Sequence, residues 1–220
     1  MKKFASAASV VIALALCPGA AFPATRPYRI AAAIRSEEGK WLPATTHETL
    51  NRGVRFQVRH LDPPAGRAAI ERGLSRTIDL LPGWRDEKRP GFILFVLQLD
   101  NVSQEEIHFN PGQARLATEK ADMKFALDYT ALFEAAKRFG ASAPTMEEMA
   151  TVFFDRVMTL KPGGSVRKLL AFESPTEDRW RSADVMIVEI QSGREAIDLH
   201  FLFRKFEPAA VAGLAGMETP

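Results

Sequence analysis

The side chains able to do chemistry are few and scattered in this chain. It has four histidines, His47, His60, His108 and His200. No two lie within a few residues of each other, whereas a transition-metal site usually draws ligands at close spacing on one element or from adjacent strands. His108 stands between Ile107 and Phe109, and His200 between Leu199 and Phe201. In strands both imidazoles would face outward, meeting only if those strands were neighbours. Hydrolytic chemistry has no nucleophile elbow of the Gly-x-Ser-x-Gly kind, and Gly163-Gly164-Ser165 reads as a tight turn before a strand. The carboxylate pairs Glu105/Glu106 and Glu147/Glu148 are adjacent residues, which point in different directions on either kind of element. A solvated loop and a helix N-terminus favoured by the macrodipole account for them. No glycine-rich phosphate loop is present. The sequence therefore assigns no catalytic residue, no cofactor and no metal ligands, and the chain reads as a non-enzyme.

Aromatic residues offer a different class of site. Trp41, Trp84 and Trp180 flank predicted turns, where a flat ring could stack on a sugar or meet a protein partner. Packing at a core edge is the commoner fate of tryptophan. Asp128-Tyr129-Thr130 marks the point where a strand gives way to helix. It reads either as part of a groove and partner surface, or as a strand end whose Tyr packs and whose Asp or Thr caps the helix.

These residues must be positioned by a chain whose first segment has another purpose. Lys2 and Lys3 precede an apolar stretch from Phe4 to Leu16, and Pro18-Gly19 then leads to a small-residue site. These are the three parts of a secretory signal peptide over residues 1–21, with cleavage expected between Ala21 and Phe22. The apolar stretch is about 13 residues, short of the roughly 20 that a membrane-spanning helix needs. Leu14-Ala15-Leu16-Cys17 offers a lipobox alternative in which Cys17 carries lipid, although Leu16 stands where a small residue is normal. Cys17 is the only cysteine, so the cleaved chain would have no disulfide and no thiol chemistry. The expected location is the periplasm or the outside of the cell, with lipid anchoring to an envelope membrane as the alternative.

Loss of Lys2 and Lys3 leaves 27 basic and 27 acidic residues, spread along the chain. Nucleic-acid binding needs a concentrated positive face and is excluded. Contact with a membrane is expected only through a lipidated Cys17.

The rest of the chain has mainly strand character. Val54, Phe56 and Val58 alternate with polar residues, the pattern of a half-buried strand. Phe92 to Leu99 is nearly all apolar, as expected of a central strand covered on both faces. Short strands follow at Ile107–Phe109, at 114–118 and at 123–129. Asp62-Pro63-Pro64 predicts an N-cap with proline at the first helical positions, opening a short helix near 63–80. Residues 130–158 read as two helices, the second opened by the capping-box signature Thr145-Met-Glu-Glu148 and burying Met149, Val152, Phe153 and Val157. Strands return at 166–172, 185–190 and 196–203, the last two as a hairpin, and the tail 208–220 reads as loose. About eight or nine short strands with turn signals predict one β-sandwich domain over 22–207, with the helical insert packed on one edge or end.

Several of these segments, taken together, carry a resemblance. The run Phe92–Leu99, then Asp100-Asn101-Val102-Ser103, then Ile107-His-Phe109-Asn-Pro111, resembles exported immunoglobulin-like (telokin-like) domains of bacteria. In those domains a strand ends in Asn-x-Ser/Thr before a short hydrophobic strand. The turn Leu160-Lys-Pro-Gly-Gly164 leading into Val166–Phe172 is similar to theirs as well. The resemblance runs from Gly91 to Phe172, and the helical insert at 130–158 departs from it. It implies an immunoglobulin-like β-sandwich, often found on lipoproteins, and carries no activity. The expected role is that of a non-catalytic envelope protein that binds another envelope protein or helps assembly. The alternative is a small-ligand binder for sugar, lipid or metal, with a pocket between sandwich and insert lined by Phe133, Phe153 or Phe154.

Overall fold

A computed structural model describes residues 29–74, 92–118, 123–138, 145–154, 156–173, 182–192, 195–212 and 214. Twelve strands and four α-helices lie within them. The first strands are β1 (Arg29–Arg35), β2 (Trp41–Ala44), β3 (His47–Asn51) and β4 (Val54–Leu61), followed by helix α1 (Pro63–Leu74). Then come β5 (Phe92–Asn101), β6 (Ile107–Phe109), β7 (Arg115–Thr118) and β8 (Met123–Phe125). Helices α2 (Tyr129–Arg138) and α3 (Met146–Val152) precede β9 (Met158–Leu160), β10 (Ser165–Glu173), β11 (Ser182–Ser192), β12 (Glu195–Phe206) and the short α4 (Pro208–Ala212).

The strands form two antiparallel sheets. The smaller has four strands in the order β10-β5-β4-β3, and the larger has eight, with β2-β1-β12-β11-β6-β9 as its main path and β7 and β8 branching from β11. Alternation along each strand sends every second side chain into the space between the sheets. Val54, Phe56, Phe95, Leu97 and Phe172 from the small sheet meet Ala32, Phe109, Leu116, Phe201 and Phe203 from the large one in one apolar cluster. The rings of Phe95 and Phe203 pack across this layer with centroids 4.8 Å apart. The protein is thus mainly β, with two sheets face to face.

The small sheet is apolar on its other face too, because β5 has no polar alternation between Phe92 and Leu97. Leu94, Val96, Leu169 and Ala171 point away from the large sheet into a second cluster with Ile70 of α1, Tyr129 and Leu132 of α2, and Met149 and Val152 of α3. The expected covering of Phe92–Leu99 on both faces is what the structure has. The insert's position differs from the expectation: its helices lie over a sheet face rather than at an edge or end. The physical reason is that an apolar face of this width cannot be left to water. Gly73 lets α1 and α3 come close, since a Cβ there would stand 2.6 Å from a methyl of Val152.

Several boundaries are corrected as well. Helix α3 starts where its signature predicts, with Thr145 accepting from the Glu148 backbone at 3.2 Å and the Glu148 carboxylate accepting from the Thr145 backbone at 2.7 Å. It stops at Val152 and does not run on to 158. Phe153 makes a parallel bridge with Leu169 and the Phe154 N–H donates to the Leu169 carbonyl at 3.0 Å. Those bonds to the outer edge of β10 replace the next helical turn, and Met158 begins a strand. Strand β8 ends at Phe125, so Tyr129 belongs to a helix, and 208–212 of the supposedly loose tail is helical. Helix α1 has the predicted cap, with the Ala65 N–H donating to Asp62 at 2.9 Å; the rest of the expected 63–80 helix, beyond Leu74, lies outside the described residues.

One end of the molecule is closed by Asn101, whose side chain is buried at 1% exposure. Its amide group donates to the carbonyls of Glu105 at 2.7 Å and Leu160 at 2.9 Å. Its side-chain oxygen accepts from the N–H and hydroxyl of Ser103 at 3.0 and 2.6 Å. All four bonding positions of the amide are therefore used. Its backbone is bonded to the turn before β10, accepting from Gly163 and donating to Gly164.

Candidate functional site

Where helix α3 leaves the small sheet, the chain crosses toward the large sheet and leaves a cleft. The cleft has a volume of about 370 Å³ and is lined by Tyr129, Glu147, Ala150, Phe154, Arg156, Val157, Met158 and Lys168. Its inner wall is aromatic. Phe154 is buried and packs edge-on against Phe109 with centroids 5.2 Å apart. Tyr129 is buried as well, and its hydroxyl donates to the Phe153 carbonyl at 3.4 Å. Val157 forms an exposed lip, 63% accessible. It had been expected on the buried face of α3, and the end of the helix at Val152 is what turns it out.

Charge enters the cleft from three places. Lys168, on β10, donates to the Ala150 carbonyl at 2.6 Å. That carbonyl lies in the last turn of α3, where backbone oxygens have no intrahelical partner and a cation is favoured. Glu147 stands in the first turn of the same helix, and Arg156 stands on the crossing segment. The lining can thus hold apolar matter against its aromatic wall and offer both signs of charge at its rim.

The candidate residues named from sequence are distributed as follows. Asp128 is exposed and caps α2, its carboxylate accepting from the Ala131 N–H at 2.8 Å. Tyr129, next to it, lines the cleft, so the pair divides between cap and wall. Trp41 is half-buried, with the guanidinium of Arg204 4.4 Å and that of Arg35 5.7 Å from its ring centre. Cationic stacking already occupies this ring. Trp84, Trp180, Cys17, Ala21 and Phe22 lie outside the described residues. Of the phenylalanines expected in a pocket, Phe154 lines the cleft, Phe153 packs in the helix-facing core and Phe133 of α2 is not part of the cleft lining. Arg156, Met158 and Lys168 escaped sequence reasoning, because nothing in their own segments marks a cleft made by three separate elements.

The histidines do not converge. β6 and β12 are separated by β11, so His108 and His200 are not neighbours. His108 instead pairs with the Thr159 hydroxyl at 2.9 Å. His47 packs between the rings of Phe201 and Phe203, 5.9 and 5.3 Å away. His60 packs edge-on to Phe95 at 5.5 Å. Desolvation pushes it down to about 4, with Asp62 and the Ile30 backbone pulling partly back. Among the described residues, no group of three His, Cys, Asp or Glu is placed to hold a metal ion. No described helix is long and apolar enough to cross a membrane.

Comparison with known proteins adds little to this geometry. No protein-family model matches the chain, and no curated protein does. Among solved structures it is similar to the crystal structure of the yjhA protein from Bacillus subtilis, at 10% identity and a TM-score of 0.37. That likeness covers 70% of this chain and 93% of the other. At this level it carries no argument about fold or activity.

Proposed function

We propose that the protein is an exported, non-catalytic binding module of the immunoglobulin-like type, engaging another envelope protein through the cleft between α3 and β10. The observation that carries this reading is the cleft itself: an aromatic wall of Tyr129 and Phe154 behind an exposed Val157, at the boundary of helices and sheet. Buried aromatic anchors inside a polar rim are the usual anatomy of a binding site. The signal-peptide features of residues 1–21 favour the envelope as its place of work. The bonding of Asn101-x-Ser103 to the turn at Gly163-Gly164 favours the immunoglobulin-like assignment, since it joins the two segments that carry the resemblance.

Deleting the insert would strip the outer face of the small sheet, so the test uses a single exposed residue. Native mass spectrometry of protein exported by a bacterial host and released gently from the envelope should show a heteromeric complex. In Val157→Glu that complex should be lost while the fold is kept. A complex unchanged by Val157→Glu would overturn the assignment to this cleft.

A second reading, a small-ligand binder, is favoured by the cleft's volume. About 370 Å³ falls within the range typical of small-molecule pockets.

A further inference from the structure

We propose that the outer face of the large sheet carries a site for a phosphate group, formed by Arg35 and Arg204 around Trp41. The site is separate from the cleft and does not depend on it. Trp41 is on β2, at one end of the strand path, and Met158 of the cleft is on β9, at the other. Ala32 of β1 and Phe203 of β12 point into the core, so alternation sends Arg35 and Arg204 to the opposite face. Trp41 is in register with Arg35 and shares that face. Arg204 is in register with Ala31, and the small side chains of Ala31 and Ala33 let it reach across to the indole. Its guanidinium carbon stands 4.4 Å from the Trp41 ring centre, and that of Arg35 stands 5.7 Å from the same ring. The ring is thus taken up in holding two cations, and one ligand group at its edge can meet both.

Neither cation is neutralised. Among the described residues, neither guanidinium has an ion pair or a hydrogen bond. Of the two carboxylates in the turn between β1 and β2, Glu38 is paired with Lys40 at 2.9 Å, and Glu37 makes no ion pair among the described residues. The Nε of Arg204 is buried with no acceptor, a loss of hydration that a ring face offsets only in part. Charge and shape then decide the class of ligand. A carboxylate is planar and singly charged, and one guanidinium satisfies it. A phosphate monoester carries a charge of about −1.5 to −2 at neutral pH and three acceptor oxygens, enough for both arginines. Arg115 stacks on Phe125 at 5.2 Å and also has an unpartnered Nε. No second arginine shares that ring among the described residues, so Arg115 serves as the control.

Calorimetric titration of the exported chain at low salt with sn-glycerol 3-phosphate tests this, with acetate as the singly charged comparison. Vesicles of phosphatidylcholine with and without phosphatidic acid distinguish a free phosphomonoester from a lipid headgroup. Glycerol 3-phosphate should bind with Kd below about 1 mM, and acetate at least about tenfold more weakly. Arg35 is exposed, so Arg35→Gln leaves the core untouched and should weaken phosphate binding by at least about tenfold. Arg204→Lys, which keeps the charge but not the planar fork, should weaken it as well. Arg115→Gln should leave it unchanged. If only the vesicles with phosphatidic acid bind, and Arg35→Gln releases them, the site stands and its phosphate belongs to a lipid. Equal affinity for acetate would overturn the proposal, as would binding of either phosphate form that survives Arg35→Gln. So would no binding of either form at about ten times that concentration.

Discussion

The side-chain amide of Asn101, at the end of one sheet, donates to the backbone carbonyl of Leu160, at the edge of the other, at 2.9 Å. His47 of β3, bonded to the Leu202 carbonyl of β12, also bridges the two layers; Asn101 does so while buried and fully satisfied. Removing it strands the buried carbonyl of Leu160, at a cost of about 1–3 kcal/mol; the carbonyl of Glu105, an exposed residue, keeps the Ser103 hydroxyl as a partner. Asn101→Ala should therefore lose ~1–3 kcal/mol in urea unfolding, and Asn101→Asp, which cannot donate to either carbonyl, should lose as much. A loss under about 1 kcal/mol for both would mean that the staple does not hold the sheets.

Gly39 and Gly53 have nearly the same backbone angle, with φ of +79° and +74°. Their surroundings differ: a Cβ on Gly39 meets nothing within 4 Å, and one on Gly53 would stand 2.7 Å from the Ser103 Cβ. Gly39→Ala isolates the conformational cost, of the order of 1 kcal/mol. Gly53→Ala adds a collision with the loop that Asn101 organises, and should cost ~1–3 kcal/mol more. Equal losses in thermal or urea unfolding would mean that the loop yields without resistance.

His60 gives the fold a dependence on acidity. The unfolded chain takes up the imidazole proton near 6.5, and the folded protein resists until about 4. Between those values the unfolded state binds more protons, so stability falls as pH drops from 6.5 toward 4 and is untouched by this group above 6.5. The full effect is at most ~3 kcal/mol. His60→Phe keeps a ring against Phe95 and removes the titration. It should lose less stability than the wild type between about pH 7 and about pH 4.5. Parallel losses would remove His60 as a cause.

Phe95 and Leu50 are both large and apolar, but only one is enclosed. Phe95 lies against Phe172 and Phe203 with no exposure, and Phe95→Ala should cost ~3–5 kcal/mol. Leu50 is 61% exposed, and Leu50→Ala should change stability by no more than ~0.5 kcal/mol. Chemical denaturation of the pair checks whether the layer between the sheets carries the fold.

For the amino-terminal segment, the expected outcome in a bacterial host is a protein with the mass of residues 22–220 and no lipid. Intact-mass measurement on the exported form checks it. Diacylglycerol on Cys17 would replace the cleavage assignment by the lipobox one.

Sequence patterning was most informative where a local rule acts alone. The Thr145–Glu148 capping box and the Asp62 cap follow from side-chain chemistry within one turn, and both stand as expected. The alternation of Val54, Phe56 and Val58 depends only on burial of one face. Strands β2, β3 and β9 were not legible: their few residues lack the pair of β-branched and aromatic side chains that marks the short β6 at Ile107 and Phe109, and they owe their form to a partner's backbone. Val157 was misplaced for a related reason. It continues the helical spacing from Phe153, but the open carbonyl of Leu169 competes for the chain and wins. The sequence expectation is a pocket between sheet and insert lined by Phe133, Phe153 or Phe154, of which Phe154 alone lines the cleft. Its charged rim was invisible, since Glu147, Arg156 and Lys168 come together only when α3 docks across β10.

Strand β5 is bonded on both sides, to β4 and β10, and covered above and below by two separate apolar layers. Its amides have no short route to solvent, so their hydrogen–deuterium exchange should wait for the whole domain to open. Helix α3 is seven residues on one face of that sheet, so its amides should exchange by local opening before the whole domain opens. The molecule thereby has a slow clock at its centre and a fast one beside the cleft. An occupant of the cleft would slow the fast one by far the larger factor.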